Sequence, residues 1–75
     1  MNTRLLTFEL TSDSSELHIH GDGSGLRELV RVLERAIATR EHDHLKTPSW
    51  GGTELTEQLQ GQETSLIHSV VVHPW

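Results

Sequence analysis

The side chains best equipped for chemistry are imidazoles, and they come in pairs. His18-Ile19-His20 and His42-Asp43-His44 each repeat histidine at a spacing of two, which on an extended chain puts both rings on one face. Imidazole is a good zinc ligand, and a catalytic zinc often takes three protein ligands and a water. If the two segments lay side by side, His18, His20, His42 and His44 could share one face, with Asp22 or Asp43 orienting the rings. Histidine on the polar face of a strand needs no metal, however, and spacing alone does not fix coordination geometry. The reading is therefore no resident metal and no cofactor, with those four histidines as the set to test. The fragment HIHGD is also found in metal-dependent hydrolases, but their barrels are far larger than this chain. Serine and threonine are numerous, yet no nucleophile elbow or triad segment surrounds them. The chain reads as a binding protein, not an enzyme. Its six histidines make its charge sensitive to mildly acid pH.

The densest run of chemically specific residues is 41–56, EHDHLKTPSWGGTELT. It starts as a strand over 41–47 and breaks at Pro48, whose ring holds the preceding residue extended. It then turns through Ser49-Trp50-Gly51-Gly52, where paired glycines open backbone angles closed to other residues. Trp50 on such a turn either plugs the core or points outward as a contact. The high average burial of tryptophan favours the plug.

Positioning these residues requires a small set of elements. Residues 4–11 alternate, with Leu6, Phe8 and Leu10 on one side, and residues 16–20 alternate again around Leu17 and Ile19. With the turn-forming Ser12-Asp13-Ser14-Ser15 between them, they read as an antiparallel hairpin. Gly21-Asp22-Gly23-Ser24-Gly25 then leads into a helix, with Asp22 or Ser24 as N-cap. It matches neither dinucleotide-binding nor P-loop glycine patterns. Residues 26–39 gather Leu26, Leu29, Val30, Val32, Leu33, Ala36 and Ile37 on one side of a helix, and Arg27, Glu28, Arg31, Glu34 and Arg35 on the other. Residues 54–60 suggest at most a turn of helix, too short to be established by sequence. Residues 64–73, rich in β-branched side chains at both parities, read as one internal strand. The expected fold is α+β, in the order β-β-α-β-β: a four-stranded, largely antiparallel sheet with one amphipathic helix on one face. The other face would be open, a docking surface for a partner or for a second copy.

A chain of 75 residues makes one small domain, residues 1–75. Without cysteine it has neither disulfides nor thiolate metal sites. No apolar run resembles a secretory signal or a bilayer span, so the expectation is a soluble cytoplasmic protein with no membrane partner. A net charge of −5 argues against nucleic acid as a direct ligand, because phosphate binding rests on clustered Lys and Arg. It suits a basic protein partner.

The segments HIHGDGSGL and DHLKTPSWGGTELT, followed by a late hydrophobic strand, resemble the immunity protein 32 family of bacterial polymorphic toxin systems. The resemblance runs from Glu16 to the C-terminus and is most specific in residues 43–56. It implies an α+β protein encoded beside a toxin gene, protecting its host by binding the cognate toxin. The family-like positions are His44, Trp50, Gly51, Gly52, Glu54 and Leu55, with His18, His20, Gly21 and Asp22. These either hold the fold or touch the toxin. With Glu57 added for its charge, the residues expected to bind the partner are Trp50, Gly51, Gly52, Glu54, Glu57 and His44. If the toxin is a basic nuclease, Glu54, Glu57 and Glu63 would meet its substrate surface, and an exposed Trp50 would be the energetic anchor.

Overall fold

The alternation in the first twenty residues does build a hairpin. The computed structural model describes residues 4–75. In it β1 (Leu6–Thr11) and β2 (Leu17–Gly21) pair antiparallel, Phe8 opposite Ile19 and Leu10 opposite Leu17. Asp13 closes the turn: its Oδ1 accepts from the Ser15 amide, the Ser15 hydroxyl and the Thr11 hydroxyl. The Ser15 and Thr11 bonds hold the Asp13 carboxyl at about 2, below the usual carboxylate range.

Asp22 is the N-cap of α1 (Gly23–Thr39), accepting from the Gly25 amide at 2.7 Å. The helix thus begins three residues ahead of the first apolar position, because the cap recruits Gly23-Ser24-Gly25 in spite of their poor propensity. It ends where Arg40 turns left-handed (φ 59°) and donates to the Ala36 carbonyl. Arg31 forms the expected pair with Glu28, donating to both its oxygens, and this hydrogen bonding holds the Glu28 carboxyl below its ordinary value. Gly25, Val32 and Ala36 are buried and Leu29 partly so, whereas Leu26, Val30, Leu33 and Ile37 remain exposed. The apolar arc of the helix is wider than the strands beneath it can cover.

The second half departs from the four-strand expectation. The chain continues through β3 (Asp43–Lys46), a 3-10 turn (Pro48–Trp50), β4 (Thr64–Leu66) and β5 (Ser69–Val72). Among the described residues the five strands form two antiparallel sheets, ordered β2-β1-β4 and β3-β5. Residues 64–73 are therefore two short strands and not one. The switch lies at Ile67-His68: the Ile67 amide donates to Phe8 of β1, while the His68 carbonyl accepts from Thr47 beyond β3. Adjacent residues serving different sheets explain why apolar side chains occur there at both parities. The helical turn suggested for residues 54–60 does not form. Leu55 donates to the Lys46 carbonyl and Thr56 to the Leu6 carbonyl, so tertiary hydrogen bonds hold this segment open between the sheets.

Leu6, Phe8, Val32, Leu45 and Leu55 make the buried cluster joining both sheets and the helix, with Leu29, Ile67, Val70 and Val72 packed around it. The sheet face away from the helix is not open along β1. Thr7 and Glu9 are fully buried there. The Glu9 carboxylate accepts from the Thr7 and Thr64 hydroxyls and from the Gln60 and Gly61 amides, all within 2.7–2.9 Å. Burial works to raise its pKa, but these bonds outweigh it and hold the group at about 2. Among the described residues no helix is long and apolar enough to cross a membrane.

Candidate functional site

The loop after β3 is fixed by polar contacts at almost every residue. The Trp50 and Gly52 amides both donate to the Thr47 carbonyl at 2.9 Å, and the Gly51 amide donates to Pro48 at 2.9 Å. Gly51 closes the turn at φ 83°, where a side chain is disfavoured. Gly52 lies so close to β3 that a Cβ there would stand 2.3 Å from the Lys46 carbonyl oxygen. Glu54 Oε1 accepts from the Lys46 amide at 3.1 Å, and Glu57 Oε2 accepts from the Ser49 amide at 3.0 Å. Arg4 donates to the Thr53 and Glu54 carbonyls. The apolar anchor of this segment is Leu55, 1 % exposed in the core.

Trp50 is therefore not the core plug its average behaviour suggested. It is 60 % exposed, its ring lying parallel to His68 with centroids 6.0 Å apart and planes within 4°. That offset-stacked arrangement holds the indole in place from one side. His68 is in turn positioned by Thr47, whose Oγ1 lies 2.7 Å from its Nδ1, with Glu57 Oε2 at 3.7 Å from the same nitrogen. Hydrogen bonds from Ser49, then Thr47, hold the Glu57 carboxyl below the usual range, so this edge of the loop keeps its negative charge into mild acid. The outcome is a rigid turn presenting one aromatic face beside a carboxylate.

The other sequence-derived positions divide between this loop and elsewhere. Trp50 and Gly51 are exposed; Gly52, Glu54 and Glu57 are half-buried, and both glutamates spend an oxygen on holding the loop. His44 lies on β3, where its ring is 5.1 Å from His42, which stands 5.9 Å from His73. It belongs to a histidine cluster and is not stacked on Trp50. His18 and His20 stack on each other at 6.1 Å on β2, in the other sheet. The side-by-side placement on which a four-histidine site depended does not occur. Among the described residues no group of three or more His, Asp or Glu side chains is placed to hold a metal ion. Asp43, on the core side of β3, accepts from Arg35 of the helix at 2.5 Å, and that bond lowers its pKa.

Two participants escaped the sequence reading. His68 is eighteen positions from Trp50 and is brought to it only by the pairing of β3 with β5. Glu9 alternates with the core residues of β1 and lies on the side away from them, where the returning chain at residues 60–64 covers it. His20 sits against it, Nε2 3.8 Å from Glu9 Oε1 and without a hydrogen-bond partner.

A family model described as immunity protein 32 matches residues 16–72. The chain belongs to the immunity protein 32 family. The matched span runs from just before β2 through β5 and so contains the helix, the Trp50 loop, His68 and five of the six histidines. An immunity function, exercised in general by binding a toxin, follows from that membership. No curated protein and no solved structure matches the chain.

Proposed function

We propose that this immunity protein 32 chain acts in the cytoplasm, neutralising a toxin domain encoded by a neighbouring gene. It does so by covering that domain, with the Trp50 loop at the centre of the contact and no catalytic step of its own. The observation that carries this reading is a tryptophan left 60 % exposed on a loop whose backbone is otherwise hydrogen-bonded in place. Exposing an indole forgoes the stabilisation its burial would bring, and a preorganised aromatic loses little conformational freedom on binding. Tryptophans of this kind dominate binding energies when a partner encloses them. Glu57 near its stacked partner His68, Glu54 on the same loop and the net charge of −5 favour a basic partner surface, such as the substrate-binding face of a nuclease. Inhibition by coverage takes roughly 800 Å² from each partner, about a seventh of the 5270 Å² this chain exposes.

The test is calorimetric titration of the neighbouring toxin domain with the parent chain and with Trp50→Ala. The reading expects binding of the parent and at least a ~30-fold weaker complex for the variant, a loss of ~2 kcal/mol. Equal affinity of the two chains would remove the Trp50 loop from the contact.

A further inference from the structure

The largest feature the toxin-binding reading leaves unused lies on the helix and the outer strand. Leu26, Val30, Leu33 and Ile37 follow one another at steps of four, three and four along α1, and all are exposed, Ile37 at 73 %. They form one stripe beside the buried line of Gly25, Val32 and Ala36. Leu26 packs onto Gly21 at the end of β2, so the stripe is on the β2 side of the helix. Arg35, on the opposite flank, reaches Asp43 of β3. β2 adds Leu17 and Ile19, exposed at 51 % and 46 %. They stand on the same sheet face as Phe8 and Leu10, their partners in β1.

β2 is also an outer strand, in the order β2-β1-β4. Hydrogen bonds flanking the hairpin, Thr11 to Glu16 and Asp22 to Leu5, set its parity: the main chains of His18 and His20 face β1. Those of Leu17, Ile19 and Gly21 therefore point away from it, toward the free edge. Among the described residues, these three therefore offer backbone groups without a strand partner, and Leu17 and Ile19 add uncovered apolar side chains. An exposed edge of this kind is a template for another strand.

We propose that this surface is the contact of a two-fold homodimer, in which β2 pairs antiparallel with β2 of a second copy and the α1 stripes pack across the axis. The occupant follows from self-complementarity. With the axis at His18, each Leu17 lies opposite Ile19 of the other copy with outward-facing main chains aligned, and each Glu16 lies opposite a His20. Apolar meets apolar on the helix side; on the other, Glu16 keeps its 3.0 Å bond to His18 of its own chain and polar side chains line both halves of the contact. The two strips are of comparable length: the eleven residue steps from Leu26 to Ile37 span ~17 Å of helix and the four from Leu17 to Gly21 ~13 Å of strand. A contact of that size is at the small end for specific interfaces, so the dimer is a weak one that forms as concentration rises. The Trp50 loop is not part of it.

The test uses the chain alone, without toxin, so that its failure is separate from failure of the toxin-binding reading. Sedimentation equilibrium from about 1 to 500 μM should show the mass rising from one chain toward two. Ile19→Lys and Val30→Glu, both at exposed positions, should stay monomeric throughout with unchanged circular dichroism. Because the chain has no cysteine, His18→Cys gives a clean probe: residues facing each other across the axis in a non-hydrogen-bonded pair lie ~4.5 Å apart at Cα, within disulfide reach. It should crosslink on mild oxidation, and the crosslink should disappear in the His18→Cys, Val30→Glu double variant. A single-chain mass across the whole range overturns the proposal. So does loss of toxin binding in Ile19→Lys while the parent stays monomeric, which would give this surface to the toxin.

Discussion

Replacing Glu9 with glutamine should cost the fold about 3 kcal/mol at neutral pH, and the loss should vanish in acid. The side chain is fully buried and receives four donors, two of them the Gln60 and Gly61 amides. Its carboxyl is held at about 2 against an ordinary 4.5; at about 1.4 kcal/mol per pH unit this corresponds to ~3 kcal/mol. Glutamine keeps the volume but removes the charge. Each carboxylate oxygen faces one backbone amide, Oε2 that of Gln60 and Oε1 that of Gly61, so the new NH2 must confront a donor in either orientation. Because the folded-state value lies below the unfolded one, the stabilisation is complete above about pH 4.5 and is lost as pH falls through about 2. The assay is urea unfolding followed by far-ultraviolet circular dichroism at pH 7, 4.5, 3 and 2. With a denaturant slope of ~1.5 kcal/mol/M, the midpoint should drop by roughly 2 M at pH 7. The gap between the two chains should narrow below pH 4. An unchanged midpoint at pH 7, or a gap that persists undiminished at pH 2, would refute the assignment of Glu9 as the ionised clamp on residues 60–64.

Three further outcomes follow from the packing. Trp50→Ala should leave the unfolding midpoint within ~0.5 kcal/mol of the parent, since the ring is mostly in solvent; loss of folding would mean that the stack on His68 carries the loop. Gly52→Ala should destabilise by more than Gly51→Ala when compared by thermal unfolding, the former driving a Cβ into the Lys46 carbonyl and the latter meeting only the ~1 kcal/mol of a left-handed residue in open space. Leu45→Ala, at a fully buried position shared by both sheets and the helix, should cost ~2–5 kcal/mol by chemical denaturation.

The elements carried by local pattern could be read without the structure. Alternation in residues 4–11 and 16–20 specified the hairpin, and the periodicity of residues 26–39 specified the helix, because a buried face repeats at the period of its backbone. Asp22 was visible as a cap for the same reason: capping is a matter of neighbours in sequence. What could not be read were features made by distant segments. Residues 64–73 looked like one strand because strand propensity does not record a change of sheet, which here occurs between Ile67 and His68. The burial of Glu9 was not legible, because nothing nearby in sequence reveals that residues 60–64 return to cover it. Trp50 was misplaced by its average behaviour, since Leu55, five residues on, takes the core position instead. The histidine pairs kept their faces as alternation requires, but strand order separated the two pairs.

The proposed protection stands or falls on toxin binding. Its most direct test is to express the chain together with the toxin domain encoded beside its gene, purify through a tag on either partner, and assay the eluted toxin. The expected result is a stoichiometric complex with the toxin inactive, whose activity returns when the complex is dissociated. Separation of the two proteins during purification, with toxin activity undiminished by excess chain, would contradict it.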